Sequence, residues 1–377
     1  MRFVFAFVFA CLLVMPFSGM AQQERQPLLN GYGLEVNTFA GKVIKHSQKF
    51  HLPVPDLTTG VDVNMVFKCT GTKPWHQCRN YPTIGIGFAY TNYGIDSVYG
   101  RCFSIFPNLT IPIIRSKHID WTIRIGDGMG YVTKKYGRDP ITDTMNNAIG
   151  SHINDYASFM TDLRYKANKH WEVQAGLNFS HISDASYHQP NLGINLWGGH
   201  VGIRYFPVTS SPECRVCKST PLKDRWLVQL RGGIAFNQLE APHGPTYPVY
   251  MATGYVSRRW RQKHKTYAGL DYSYHEAIYA FQRNNEANPG KERAYSYKAA
   301  VVAGHEFLFG RVGVILQMGY YIKEAWLKQD KYYQKIGGHY YLVQREQGPI
   351  KEFYLTGFLK THKSVAELAE FGLGFGF

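Results

Sequence analysis

Trp171-Glu172-Val173-Gln174-Ala175-Gly176-Leu177-Asn178-Phe179-Ser180-His181-Ile182-Ser183 is the stretch that decides the fold. Its odd positions from Trp171 to Phe179 are apolar, and its even positions carry Glu, Gln, Gly, Asn and Ser. A period of two marks a β-strand with one apolar and one polar face. An apolar face bearing Trp and Phe opposite a polar face fits a strand that meets lipid on one side and a lumen on the other. Glu172, Gln174 and Asn178 are then expected inside, and the odd residues outside.

The same alternation recurs along the chain. Trp121, Ile123, Ile125, Met129 and Tyr131 share one face, as do Trp226, Val228, Leu230, Ile234 and Phe236. Val312, Val314, Leu316, Met318 and Tyr320 form another such face. Phe371, Leu373, Phe375 and Phe377 alternate with three glycines, resembling the aromatic-ended strand that outer-membrane assembly machinery reads. Candidate strands fall near 31–44, 59–69, 83–93, 98–112, 120–132, 152–166, 171–184, 194–206, 225–237, 247–260, 265–281, 295–306, 311–323, 334–346, 352–362 and 367–377. The fold class expected is all-β, a transmembrane antiparallel β-barrel of about sixteen strands closing as one barrel, with twelve or fourteen strands also compatible. The short connections near 261–264, 308–310 and 348–350 are expected to face the periplasm, and the polar ones at 134–150 and 283–293 the outside.

Composition agrees. Of 377 residues only 18% are charged while 15% are aromatic, and there are 37 glycines. Mean hydropathy is −0.28, which argues against apolar membrane helices. Disorder and coiled coils are equally disfavoured. Residues 1–21 read as an export signal: Arg2, an apolar run from Phe3 to Met15, then Gly19-Met20-Ala21 before a cleavage point. The run is too short for a spanning helix, which needs about 20 apolar residues. The remaining chain divides into 22–206, a connection at 207–224 rich in Pro, Ser and Cys, and 225–377.

Cys214 and Cys217 form a C-x-x-C in that connection, without a second ligand pair for zinc, so a local disulfide or an idle pair is favoured over a redox centre. Cys69 and Cys78 flank one connection and could bridge it. The net charge of +15 suits either an anionic lipid surface or simply basic loops and a basic lumen; nucleic acid is not an expected partner of an exported chain. No metal site is expected: His305-Glu306 lacks a second His and reads as lumen polarity. No cofactor fingerprint stands in a fitting context, and nothing sets the oligomeric state.

His181 and Ser183 continue the odd series, so both project outward near one end of the strand, with Cα atoms about 6.5–7 Å apart. On the next strand Trp197, Val201, Ile203 and Tyr205 mark the outward face, and Asn195 belongs to it. A hydroxyl, an imidazole and an orienting amide on one face are the parts of a hydrolytic triad. The alternative is a polar group of residues at a membrane surface.

The run His181-Ile-Ser183-Asp-Ala-Ser-Tyr-His-Gln189-Pro190-Asn191-Leu-Gly193-Ile194-Asn195 resembles the H-x-S-N-x-x-x-x-x-P-N-x-G-I segment of the lipid A 3-O-deacylase (PagL-type, acyloxyacyl hydrolase) family. Lys45-His46-Ser47, Lys73-Pro74-Trp75-His76-Gln77, Gly150-Ser151-His152-Ile153-Asn154 and 359–372 resemble its larger members. The resemblance is strongest over about 31–206 and implies an outer-membrane ester hydrolase that removes an acyl chain from lipid A (lipopolysaccharide). It implies Ser183 as nucleophile and His181 as base, with Asn195 orienting the base and the oxyanion held near Asp184 and Ala185. His46 and His152, with His76, are candidates for a supporting layer or for plain interfacial histidines. Two departures stand out: smaller members carry Glu where this chain has Asn195, and Asn where it has Asp184. Both should weaken catalysis, which leaves a non-catalytic barrel, a channel or a lipid-binding relative, as the alternative.

Overall fold

The computed structural model describes residues 29–69, 71, 73–137, 145–208, 223–238, 244–324, 326, 330–363 and 365–377. The expected export signal, Cys214, Cys217 and most of the 207–224 connection lie outside the described residues.

Among the described residues there are sixteen antiparallel strands. The first eight are β1 (Tyr32–Ile44), β2 (Thr58–Lys68), β3 (Thr83–Asn92), β4 (Arg101–Arg115), β5 (Ile119–Val132), β6 (Ile153–Lys166), β7 (Trp171–Ser183) and β8 (Ile194–Tyr205). The rest are β9 (Arg225–Gln238), β10 (Thr246–Trp260), β11 (His264–His275), β12 (Tyr297–Phe309), β13 (Val312–Glu324), β14 (Tyr332–Gln344), β15 (Glu352–His362) and β16 (Val365–Gly376). Helix α1 (Pro74–Cys78) lies between β2 and β3, and α2 (Glu276–Asn284) and α3 (Glu292–Tyr295) lie between β11 and β12.

The sixteen strands close twice, not once. β8 pairs back onto β1, from Leu34 opposite Tyr205 to Ile44 opposite Asn195. β16 pairs back onto β9, from Glu370 opposite Ala235 to Gly376 opposite Gln229. The result is two barrels of eight strands, which corrects the single closure expected from the alternation.

The lumen-facing side chains explain the smaller closure. An eight-stranded interior is just wide enough for side chains to fill, whereas sixteen strands leave an aqueous channel. In the first barrel Glu35 accepts from both Arg124 and Arg204, and Arg124 also forks onto Asp62 at 2.8 and 2.7 Å. His200 Nε2 lies 2.5 Å from Asp162, and the Phe106 and Tyr156 rings pack 5.2 Å apart. In the second barrel Glu352 takes Lys265 at 2.6 Å and Arg259 at 2.7 Å. Lys335 bridges Asp271 and Glu370, both at 2.7 Å. Long charged and aromatic residues thus fill each lumen and pair with one another.

The faces of β7 follow the alternation. Glu172, Gln174 and Asn178 are buried in the lumen, while Trp171, Val173 and Leu177 are exposed on the outer wall. His305-Glu306 divides: Glu306 accepts from Tyr341 inside the second barrel at 2.6 Å, but His305 faces outward, next to His264. Cys69 and Cys78 are free thiols and not the bridge considered above. Burial pushes the Cys69 thiol up to about 12, so it stays protonated and unreactive.

Glu35 is the shared acceptor of two buried guanidinium groups in the first barrel. Glu35→Gln should cost about 3–5 kcal/mol of stability, because the arginines keep their charge and lose its partner. Urea unfolding of detergent-folded protein, followed by tryptophan fluorescence, checks this. Leu34→Ala on the outer wall should cost much less, and equal losses would contradict the assignment.

Candidate active site on the outer wall of the first barrel

β7 and β8 form a hairpin whose register sets His181 directly opposite Asn195. Such partners have Cβ atoms about 4.5–5.5 Å apart. His181 Nδ1 lies 2.5 Å from Asn195 Oδ1, and Nε2 lies 2.9 Å from Ser183 Oγ. The amide oxygen only accepts, so Nδ1 carries the proton and Nε2 accepts from the Ser183 hydroxyl. All three residues belong to the outward face that bears Leu177 and Trp197. Ser183 is buried and the other two are half-buried.

The connection that follows holds this geometry. The buried Asp184 donates its backbone N–H to Asn191 Oδ1 at 3.2 Å. Ala185 and Ser186 have φ of 54° and 66°, a left-handed pair unusual for residues other than glycine. Gly193, at φ +76°, sits against the imidazole: a Cβ there would lie 2.7 Å from His181 Cε1. Glycine is therefore required on two counts, backbone conformation and contact with the ring.

Neighbouring connections clamp the same segment. His46 Nε2 donates to the Leu192 carbonyl at 2.9 Å. The N–H of Leu192 donates to Asn147 and that of Gly193 to Ala148. His46 thus reaches His181 through the loop. His152 engages the Val132 carbonyl at 2.8 Å and stacks on Tyr131, which makes it part of the β5–β6 join. His76 lies in α1, at the opposite end of the barrel from Ser183. Burial, with the Lys73 ammonium adding, holds its imidazole down to about 4.

Three features escaped the sequence reading. Asn191 is buried, and its Nδ2 has no hydrogen-bond partner among the described residues. A buried amide donor without a partner costs about 1–3 kcal/mol. The Pro190-Asn191 pair before Gly193 was the available signal. Asp155 stands directly opposite Ser183 in the β6–β7 register, and Asp127 follows on β5. Both belong to outward-facing rows, so two carboxyl groups lie on the lipid side near the hydroxyl.

Residues 59–204 match the family model described as lipid A 3-O-deacylase (PagL), and residues 224–377 match acyloxyacyl hydrolase, C-terminal domain. No curated protein matches the chain. Among solved structures, Neisserial surface protein A is 10% identical, covering 47% of this chain and 97% of that chain at a TM-score of 0.32. The outer membrane enzyme PagL is 15% identical, covering 46% and 99% at 0.31. A triple mutant of the Rhodopseudomonas blastica porin is 9% identical, covering 92% and 99% at 0.18. The family models, not these scores, carry the assignment. One model falls within each barrel, and the chain belongs to the lipid A 3-O-deacylase and acyloxyacyl hydrolase family.

Proposed function

We propose that this outer-membrane β-barrel protein hydrolyses an ester-linked acyl chain of lipid A, with Ser183 and His181 as the reacting pair. The observation that carries the reading is the outward-facing chain of contacts from Asn195 through His181 to Ser183. A substrate that lies in the leaflet reaches such a wall sideways. The interlocked side chains of both lumens give no support to a channel.

In this mechanism Ser183 Oγ attacks the ester carbonyl carbon as its proton passes to His181 Nε2. The carbonyl oxygen becomes an oxyanion, and Asn191 Nδ2 is placed to donate to it, together with backbone N–H groups near Ala185. Collapse expels the sugar hydroxyl oxygen, which takes the proton from His181, and leaves the acyl group on Ser183. Water then attacks the acyl-enzyme with His181 again as base, releasing the fatty acid and restoring the serine. Asn195 keeps the imidazole in its tautomer but supplies no charge to the imidazolium. Asp184 places a carboxylate next to the region where negative charge develops, which opposes the oxyanion. His46 supports the site by fixing Leu192.

Acyl release from purified lipid A in detergent, followed by mass spectrometry, tests the assignment. Ser183→Ala should lower kcat by at least about 10³-fold and leave the barrel folded. Retained activity would overturn the site.

Asn191→Ala should lower kcat by about 10²–10³-fold with KM little changed, the signature of a donor used mainly in the transition state. An effect on KM alone would assign Asn191 to ground-state binding instead.

Asn195→Glu should raise turnover, by between about 10- and 10⁴-fold, since a buried carboxylate stabilises the imidazolium. Asp184→Asn should also raise it. If neither the parent nor any of these variants releases acyl chains, the non-catalytic reading replaces the enzyme.

A further inference from the structure

On the outer wall of the second barrel, Arg258 lies in a row whose neighbours along β10 alternate with the buried Tyr255, Ser257 and Arg259. Its guanidinium carbon stands 4.1 Å from the ring centre of Trp260 and 5.4 Å from that of Trp226. Trp226 is the direct cross-strand partner of Arg258 on β9, and Thr266 is its partner on β11. Trp260 Nε1–H donates to Thr266 Oγ1 at 3.0 Å, which fixes the indole plane beside the guanidinium. Arg258 makes no hydrogen bond or ion pair with any described residue.

Stacking covers the flat faces of a guanidinium and leaves its N–H edge free. That edge forms a fork suited to phosphate oxygens. One carboxylate stands on the same row, Asp224, two residues before Trp226, and it is engaged by the backbone N–H of Arg261; across Thr266 the next outward residue is His305, whose ring is hydrogen-bonded to His264. The position is two residues from the strand end, about 7 Å along it, within reach of headgroups. Exposed Trp residues belong at that depth. This is the end of the short β10–β11 and β12–β13 connections, expected to face the periplasm, where the outer membrane presents phospholipid.

We propose that Arg258, held between Trp226 and Trp260, binds the phosphate of an anionic phospholipid in the leaflet at that end of the second barrel. This site is separate from the reaction proposed for Ser183 and does not depend on it.

The full-length protein in detergent is exposed to phosphatidylglycerol or phosphatidylcholine, and retained lipid is counted by native mass spectrometry. The parent should retain phosphatidylglycerol over phosphatidylcholine. Arg258→Gln should retain about fivefold less phosphatidylglycerol, the effect of one interfacial cation. Arg258→Lys should fall between them, because charge survives and the flat fork does not. Thr266→Val leaves every charge in place and frees the indole, and should also reduce retention. Heat-modifiable migration in gels verifies that each variant is folded. Equal retention of the two lipids by the parent, or equal retention of phosphatidylglycerol by the parent and Arg258→Gln, would overturn the proposal. Full displacement by millimolar inorganic phosphate would also overturn it, since the site would then be one for a free anion.

Discussion

Inside a bilayer no water is present to satisfy a peptide group, and each unpaired one costs several kcal/mol. A sheet in lipid must therefore have no free edge, and both closures answer that requirement: β8 returns to β1 and β16 returns to β9. Closing at eight strands turns every second residue into a small interior. That interior is dry enough that each charge in it needs a partner, which is what the clusters around Glu35 and Glu352 provide. With the ladders closed and the interior filled, the outer face is free to carry other side chains.

The strands, their order and their faces were legible because alternation depends on each residue's immediate environment. Wherever one face meets lipid, apolar residues must recur every second position, as from Trp171 to Phe179. How the sheet closes was not legible. Alternation says which way a side chain points and is silent on whether β8 pairs with β1 or with β9. The facing of His181, Ser183 and Asn195 could be read because all three follow the period of their strands. Asn191 and Gly193 lie in a connection, where no period applies. Their placement depends on hydrogen bonds from two other connections, made by His46, Asn147 and Ala148, and on Asp184 within their own. Splitting His305 from Glu306 needed the strand bounds, since adjacent residues of a strand face opposite ways.

The candidate site is well oriented and poorly charged. Asn195 and Gly193 fix the imidazole, and the Asp184–Asn191 contact fixes the turn after Ser183. Against this, no carboxylate backs the imidazole, whose Nδ1 faces the neutral amide of Asn195. Orientation lowers the entropy of reaching the transition state, and electrostatics stabilises the charge that forms there. These are separate contributions, and this site has more of the first than of the second.

A reacting hydroxyl on the outside of a barrel meets its substrate in two dimensions. What sets the encounter rate is the fraction of neighbouring lipid molecules that are substrate, not their concentration in the bulk sample. Adding inert lipid at constant total substrate would slow such an enzyme, and concentrating the vesicles would not restore the rate. For the reaction proposed here, the placement of Ser183 makes the composition of the surrounding leaflet a kinetic variable.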